Sequence, residues 1–133
     1  MFQIAQYETF QNGQVIFEEN SYGDWMYVVE EGAVEISKKI NKKKVIVEVL
    51  QPGEIFGELA YIAKIPRTAT ATAIGETVVG VIDRNIFDRE FNQLRSDFQM
   101  VLRTIALRLK KMTEATLEDK FHAAPPASPE KGK

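Results

Sequence analysis

The sequence predicts a mainly β domain, a small antiparallel barrel or roll, followed by helices. Three observations carry this. Seven of the eight glycines lie between Gly13 and Gly80. The short stretches they separate alternate apolar and polar residues with period two, the mark of half-buried strands. Residues 84–120 hold neither glycine nor proline, so that stretch is free to be helical. With 133 residues the chain fits one domain. We expect a folded unit over 1–120, with the β part at about 7–83 and helices at about 84–120, and a disordered tail over 121–133.

In chain order, Trp25-Met26-Tyr27-Val28-Val29 and Ala33-Val34-Glu35-Ile36 flank Glu31-Gly32 and read as a β-hairpin. Lys44–Leu50 is a further strand, closed by Gln51-Pro52-Gly53. Ile55-Phe56 is a short strand, and Glu58–Ile62 one or two helical turns after Gly57. Ala69–Ala73 and Thr77–Ile82 read as two more strands. Asp83 is a cap for a helix starting at Arg84, because its carboxylate accepts free N–H groups of the first turn. Ile86, Phe87, Phe91 and Leu94 form that helix's apolar face. Ser96 with Gln99 has the form of a capping box. The helix it opens carries Phe98, Leu102, Ile105, Leu109 and Met112 at spacings of 4, 3, 4 and 3. Such a seam packs on another helix. It fits packing on the chain's own roll and equally a symmetric dimer through 97–120.

Composition excludes much chemistry. Cysteine is absent, which removes disulfides, thiolate catalysis and Cys-ligated zinc together. The one histidine, His122, sits at the start of the tail and has no clustered metal ligands around it. Neither a G-x-x-x-x-G-K-[ST] phosphate cradle nor a G-x-S-x-G elbow is present. We therefore expect no enzyme and no metal. The N-terminus lacks a secretory signal and no apolar run spans a bilayer, so the expectation is a cytoplasmic protein without membrane contact. The formal net charge is −2. The lysines at 38, 39, 42, 43 and 44 read as a solvated hairpin rather than a nucleic-acid surface.

One segment concentrates chemistry. Gly57 permits a sharp turn and leaves no Cβ in a ligand's way. The helix start at Glu58 directs unpaired N–H groups outward, which favours an anion. Arg67, after Pro66, is placed to return to the same point and clamp a phosphate with two N–H bonds. Glu58 repels an anion, so its presence there makes sense if it accepts a hydroxyl hydrogen bond. The two together suit a singly charged nucleotide or sugar monophosphate, and a cyclic 3′,5′-nucleotide with a free 2′-hydroxyl meets the description. The same residues also fit a plain surface loop in which Arg67 pairs with Glu58.

Phe56-Gly57-Glu58-Leu59-Ala60 followed by Pro66-Arg67-Thr68-Ala69 resembles the phosphate-binding cassette of the cyclic nucleotide-binding domain family, which includes the catabolite activator protein, the regulatory subunits of cyclic-nucleotide-dependent kinases and cyclic-nucleotide-gated channels. The likeness extends to Gly13, Gly23-Asp24, Gly32 and Pro52-Gly53, and covers about residues 7–120. Asn20-Ser21 stands where many members carry Gly-Asp. The resemblance implies an antiparallel β-roll of the double-stranded β-helix or jelly-roll type, with flanking helices and a long C-terminal helix. It implies that Glu58 binds the ribose 2′-hydroxyl and Arg67 the cyclic phosphate, with Phe56, Gly57, Leu59, Ala60, Pro66 and Ala69 around them. Thr68 keeps cGMP open beside cAMP. Val47 and Val49, with Leu59, are implied as base contacts and Thr113 as a cap on the base. The implied function is a cyclic nucleotide sensor that signals through its C-terminal helices to an effector protein or a homodimer. The alternative is a ligand-free interaction module that keeps the fold. No helix-turn-helix of the transcription-factor kind fits in Phe121–Lys133.

Overall fold

The computed structural model describes residues 2–123, with side chains described through Glu118. The segment 124–133 of the expected disordered tail lies outside the described residues. Six strands, β1 (Ile4–Phe10), β2 (Val15–Phe17), β3 (Tyr27–Ile40), β4 (Lys43–Leu50), β5 (Ile55–Phe56) and β6 (Thr70–Ile82), join in one sheet. Its order is β1-β6-β3-β4, with β2 also on β6 and β5 also on β3, and every pairing is antiparallel. Three helices accompany it: α1 (Glu58–Ala63), α2 (Arg84–Gln93) and α3 (Ser96–Ala123). The β-roll with flanking helices is the fold the sequence implied.

The long β3–β6 ribbon replaces four expected strands with two. Gly32 is not a hairpin turn, and Thr70–Ile82 is a single strand. The register slips on both sides of Glu31 and skips from Val78 to Ile74. Gly32 (φ +85) and Gly75 (φ +70) face this slip from either strand. At Gly32 a Cβ would lie 2.6 Å from the Glu76 carbonyl and from Thr77 Oγ1. The buried Thr77 hydroxyl donates to Ala33 O at 3.0 Å across the bend. The ribbon therefore folds over itself while its pairing continues, as bulges allow. One half pairs with β1 and β5, the other with β2 and β4, and the sheet curls into a roll.

Inside the curl lie Tyr27, Val29, Val34, Leu50, Phe56, Ala71, Val79 and Val81. Phe17, Tyr27 and Phe56 meet at ring centroid separations of 5.9, 5.9 and 5.1 Å, each pair adding about 0.5–1.5 kcal/mol beyond area burial. On the other face of β3, Val28, with Met26 just before the strand, packs with Ile82 and with Tyr61 of α1. Strand alternation thus buries both faces of β3, one inside the roll and one against the helices.

Asp83 caps α2 as expected, accepting the Asn85 N–H at 3.0 Å. On that helix Phe91 is buried and Phe87 packs against the Tyr61 cluster, whereas Ile86 and Leu94 stay exposed. The Ser96–Gln99 capping box does not form. The Gln99 N–H bonds Arg95 O at 3.1 Å, so Ser96 already lies within the first turn. The Gln99 side chain instead donates to Phe91 O at 2.8 Å, joining α3 to the end of α2. α3 continues to Ala123, past the boundary read at residue 120. Among its described side chains only Ala106 and Leu117 are buried.

Candidate functional site

The site is a cavity of about 250 Å³ between the roll, α1 and α3. It lies just below the roughly 300–1,000 Å³ common for small-molecule sites, so it suits a compact ligand. Ten of the twelve residues expected at the site line it: Val47, Phe56, Gly57, Glu58, Leu59, Ala60, Arg67, Thr68, Ala69 and Thr113. Pro66 does not, standing instead in the turn that delivers Arg67. Val49 does not either, and is 43% exposed. The reason is a bulge in β4: Ile36 pairs with Glu48 but Ser37 with Ile46, leaving Val47 as the extra residue. Val47 and Glu48 then both reach the cavity, and alternation beyond the bulge turns Val49 away.

Arg67 is 3% exposed. Its guanidinium donates to Gly57 O at 3.2 Å and Trp25 O at 2.9 Å, and lies 4.1 Å from the Phe17 ring centroid. Among the described residues no carboxylate pairs with it. Two of its five N–H donors are used by these bonds, and burial pulls its pKa below the ordinary arginine value. Gly57 (φ +84) makes the approach possible, since a Cβ there would lie 2.8 Å from Arg67 Nη1 and 2.9 Å from Trp25 O. α1 has only six residues, so its end adds little field, and Arg67 supplies the positive charge.

Glu58 lines the same cavity without bonding Arg67. Desolvation by the cavity walls raises its pKa, the nearby Glu48 adds to the rise, and its own N–H opposes it. A carboxylate and a guanidinium therefore share one hollow and leave each other unpaired. The plain surface-loop reading required them to pair.

The sequence reading missed part of the lining. Phe17, Ile36 and Lys38 come from β2 and β3, Glu48 and Leu50 from β4, Ile55 from β5, and Leu109, Lys110 and Glu114 from α3. Some signal existed. Ile36 and Lys38 share a strand face at i, i+2, and Leu109 and Lys110 sit four and three residues before Thr113 on one helix face. The lysine hairpin also needs correction: Lys38 is buried, while Lys39, Lys42, Lys43 and Lys44 are exposed, Lys44 pairing with Glu35.

Behind α1 lies a second polar group. Tyr61 donates to Asp88 at 2.6 Å, and Arg84 donates to both oxygens of Asp24 at 2.5 and 3.0 Å and to Asp88 at 3.3 Å. The Arg84 bonds hold the Asp24 carboxyl below the usual range, and the Tyr61 hydroxyl does the same for Asp88. This network ties α1 and the segment before β3 to α2.

Fold and cavity together define a ligand-binding β-roll closed by a helix. The model of the cyclic nucleotide-binding domain matches residues 7–93, and the chain belongs to that family. It is 42% identical over 88 residues to a cGMP-dependent protein kinase of Eimeria tenella, covering 66% of this chain and 8% of the kinase. It is 36% identical over 84 residues to a cAMP-dependent protein kinase regulatory subunit of Dictyostelium discoideum, covering 60% of this chain and 26% of the subunit. The chain thus spans a minor part of these relatives' length. A cAMP-bound EAL enzyme superposes with a TM-score of 0.74 at 27% identity, over 88% of this chain and 31% of that one. The regulatory domain of Toxoplasma gondii PKA with cAMP superposes at 0.62 and 32% identity, over 77% and 39%. No described helix is long and apolar enough to cross a membrane, and the described residues contain no metal-ligating cluster.

Proposed function

We propose that the cavity binds a cyclic nucleoside monophosphate, cAMP or cGMP, and that the domain is a regulatory sensor. The carrying observation is Arg67: a buried guanidinium held only by neutral carbonyls, facing a hollow it shares with an unpaired carboxylate. A buried cation without an anion is costly, and one phosphate charge offsets that cost. Arg67 takes the cyclic phosphate through its remaining N–H donors, and Glu58 accepts the ribose 2′-hydroxyl. Val47, Ile36 and Leu59 offer an apolar wall to the base, with Thr68 and Thr113 as polar contacts. Calorimetry with cAMP, cGMP and 5′-AMP tests this. Micromolar binding of a cyclic nucleotide, with 5′-AMP weaker, is expected; folded protein that takes neither at millimolar ligand ends the reading.

Occupancy is read out through α3, which closes the cavity with Leu109 and Thr113 and exposes Phe98, Leu102, Ile105 and Met112. The spacing of that seam is self-complementary, so a second copy of this chain is the partner it fits. Light scattering checks this: I105E should convert a dimer to a monomer, and wild-type protein monomeric at high micromolar concentration with and without nucleotide would exclude it and leave a separate effector protein as the reader.

A further inference from the structure

Lys38 is a buried cavity residue that the nucleotide reading leaves unused. It projects from β3 into the cavity wall with its side chain 8% exposed. A lysine so buried needs partners for its charge and its three N–H donors. It has three: the Thr68 carbonyl, Glu19 Oε2 at 3.3 Å, and Glu114 Oε2 at 3.5 Å. They belong to three segments. Glu19 stands in the loop after β2, Thr68 directly follows Arg67, and Glu114 rides on α3.

Among the described residues, Lys38–Glu114 is the one ion pair that joins α3 to the roll; of the helix's other pairs, Lys110–Glu114 is internal and Arg95–Asp97 links it to the residue just before it. The apolar hold is slight, because Ala106 and Leu117 are its only buried described residues. Burial raises the Glu114 carboxyl, but Lys110 and Lys38 outweigh it and keep the group below its ordinary range, so it stays a carboxylate near neutral pH.

We propose that Lys38 is a positioning residue for ligand capture: by holding the Thr68 backbone and Glu114 together, it couples the phosphate-binding Arg67 to closure of α3. The proposal rests on the nucleotide-receptor reading for its ligand and on geometry alone for the tie. Occupancy that steadies Arg67 steadies Thr68, and through the ammonium it favours α3 in the closed position. The coupling is reciprocal, so a closed α3 slows nucleotide escape.

The chain has no native cysteine, so a spin-label pair at I46C and T116C reports the distance from roll to helix without interference. Three variants are compared with wild type in the full chain: E114Q, K38M and E19Q. In ligand-free protein E114Q and K38M should broaden the distance distribution, while E19Q, which leaves the helix contact intact, should not. With cAMP and cGMP as probes, E114Q should release nucleotide roughly tenfold faster with association changed less than about threefold. A distribution for E114Q as narrow as wild type overturns the tie, whether or not nucleotide binds. A broadened distribution with unchanged release overturns the coupling. Equal acceleration by E19Q and E114Q also overturns it, since that would make Lys38 a general staple. Wild-type protein that binds neither nucleotide yet shows the E114Q broadening overturns the coupling and the receptor reading, with the tie itself upheld.

Discussion

Two arginines stand on opposite sides of α1 in contrasting surroundings. Arg84 is charge-paired: Asp24 takes two of its bonds and Asp88 a third, and all three side chains keep some contact with solvent. Arg67 is more deeply buried and has only carbonyl oxygens and an aromatic ring for company. Electrostatics alone would arrange them the other way, because desolvation makes the buried cation the one most in need of an anion. A guanidinium already paired with carboxylates is a fastener. In the function we propose, one without a carboxylate partner beside a cavity is a receptor group, and stability is sacrificed there for binding.

The contrast can be broken most sharply at Arg67. R67M should weaken cyclic nucleotide binding at least about 100-fold, because the ligand's charge is left buried and unpaired. Its effect on the free protein should stay within about 1 kcal/mol, since the cation it removes has no anionic partner. Calorimetry and thermal melts read the two quantities side by side, and a large stability loss with binding retained would reverse the assignment.

R84M should do the opposite, lowering stability by about 1–2 kcal/mol and moving affinity less. Its acid limb is informative. The Asp24 pKa lies below its unfolded value, so the stability it contributes is present above that unfolded value and lost as pH falls through the folded one. R84M removes the largest cause of the shift, and denaturant titrations from neutral to acid pH should then show a shallower loss than in wild type.

Glu58 gives the smallest effect. A hydroxyl needs the carboxylate as acceptor, and the raised pKa means that affinity falls with acidification earlier than for an ordinary glutamate. E58Q keeps a weaker acceptor and should cost about tenfold in affinity, with that pH dependence removed. A group whose folded pKa is raised favours the folded state only while protonated, so wild type loses this contribution as pH rises through it. E58Q should therefore melt slightly higher than wild type at neutral pH when ligand is absent.

The cassette was legible because its parts are neighbours in the chain. Gly57, Glu58 and Arg67 lie within eleven residues, and the turn, the short helix and the fixed φ of Pro66 act over that distance. The Asp83 cap was legible for the same reason. The Gly32 region misled, because a glycine between two apolar runs looks alike in a hairpin turn and in a bulge; only the slipped pairing with β6 separates them. Val49 misled because a single inserted residue in β4 inverts the face of all that follows. Lys38 looked like one of five surface lysines until Glu19, Thr68 and Glu114 closed around it.

The sequence by itself determined the strand-rich half, the helical half and the chemical identity of the two charges that line the cavity, since these follow from local propensity and from residue types a few positions apart. Tertiary structure alone decided that those charges face one hollow without touching, that α3 covers it, and that a buried lysine joins helix to roll. Each of these depends on contacts across tens of residues, where sheet register and helix placement, rather than local preference, set which side chains meet.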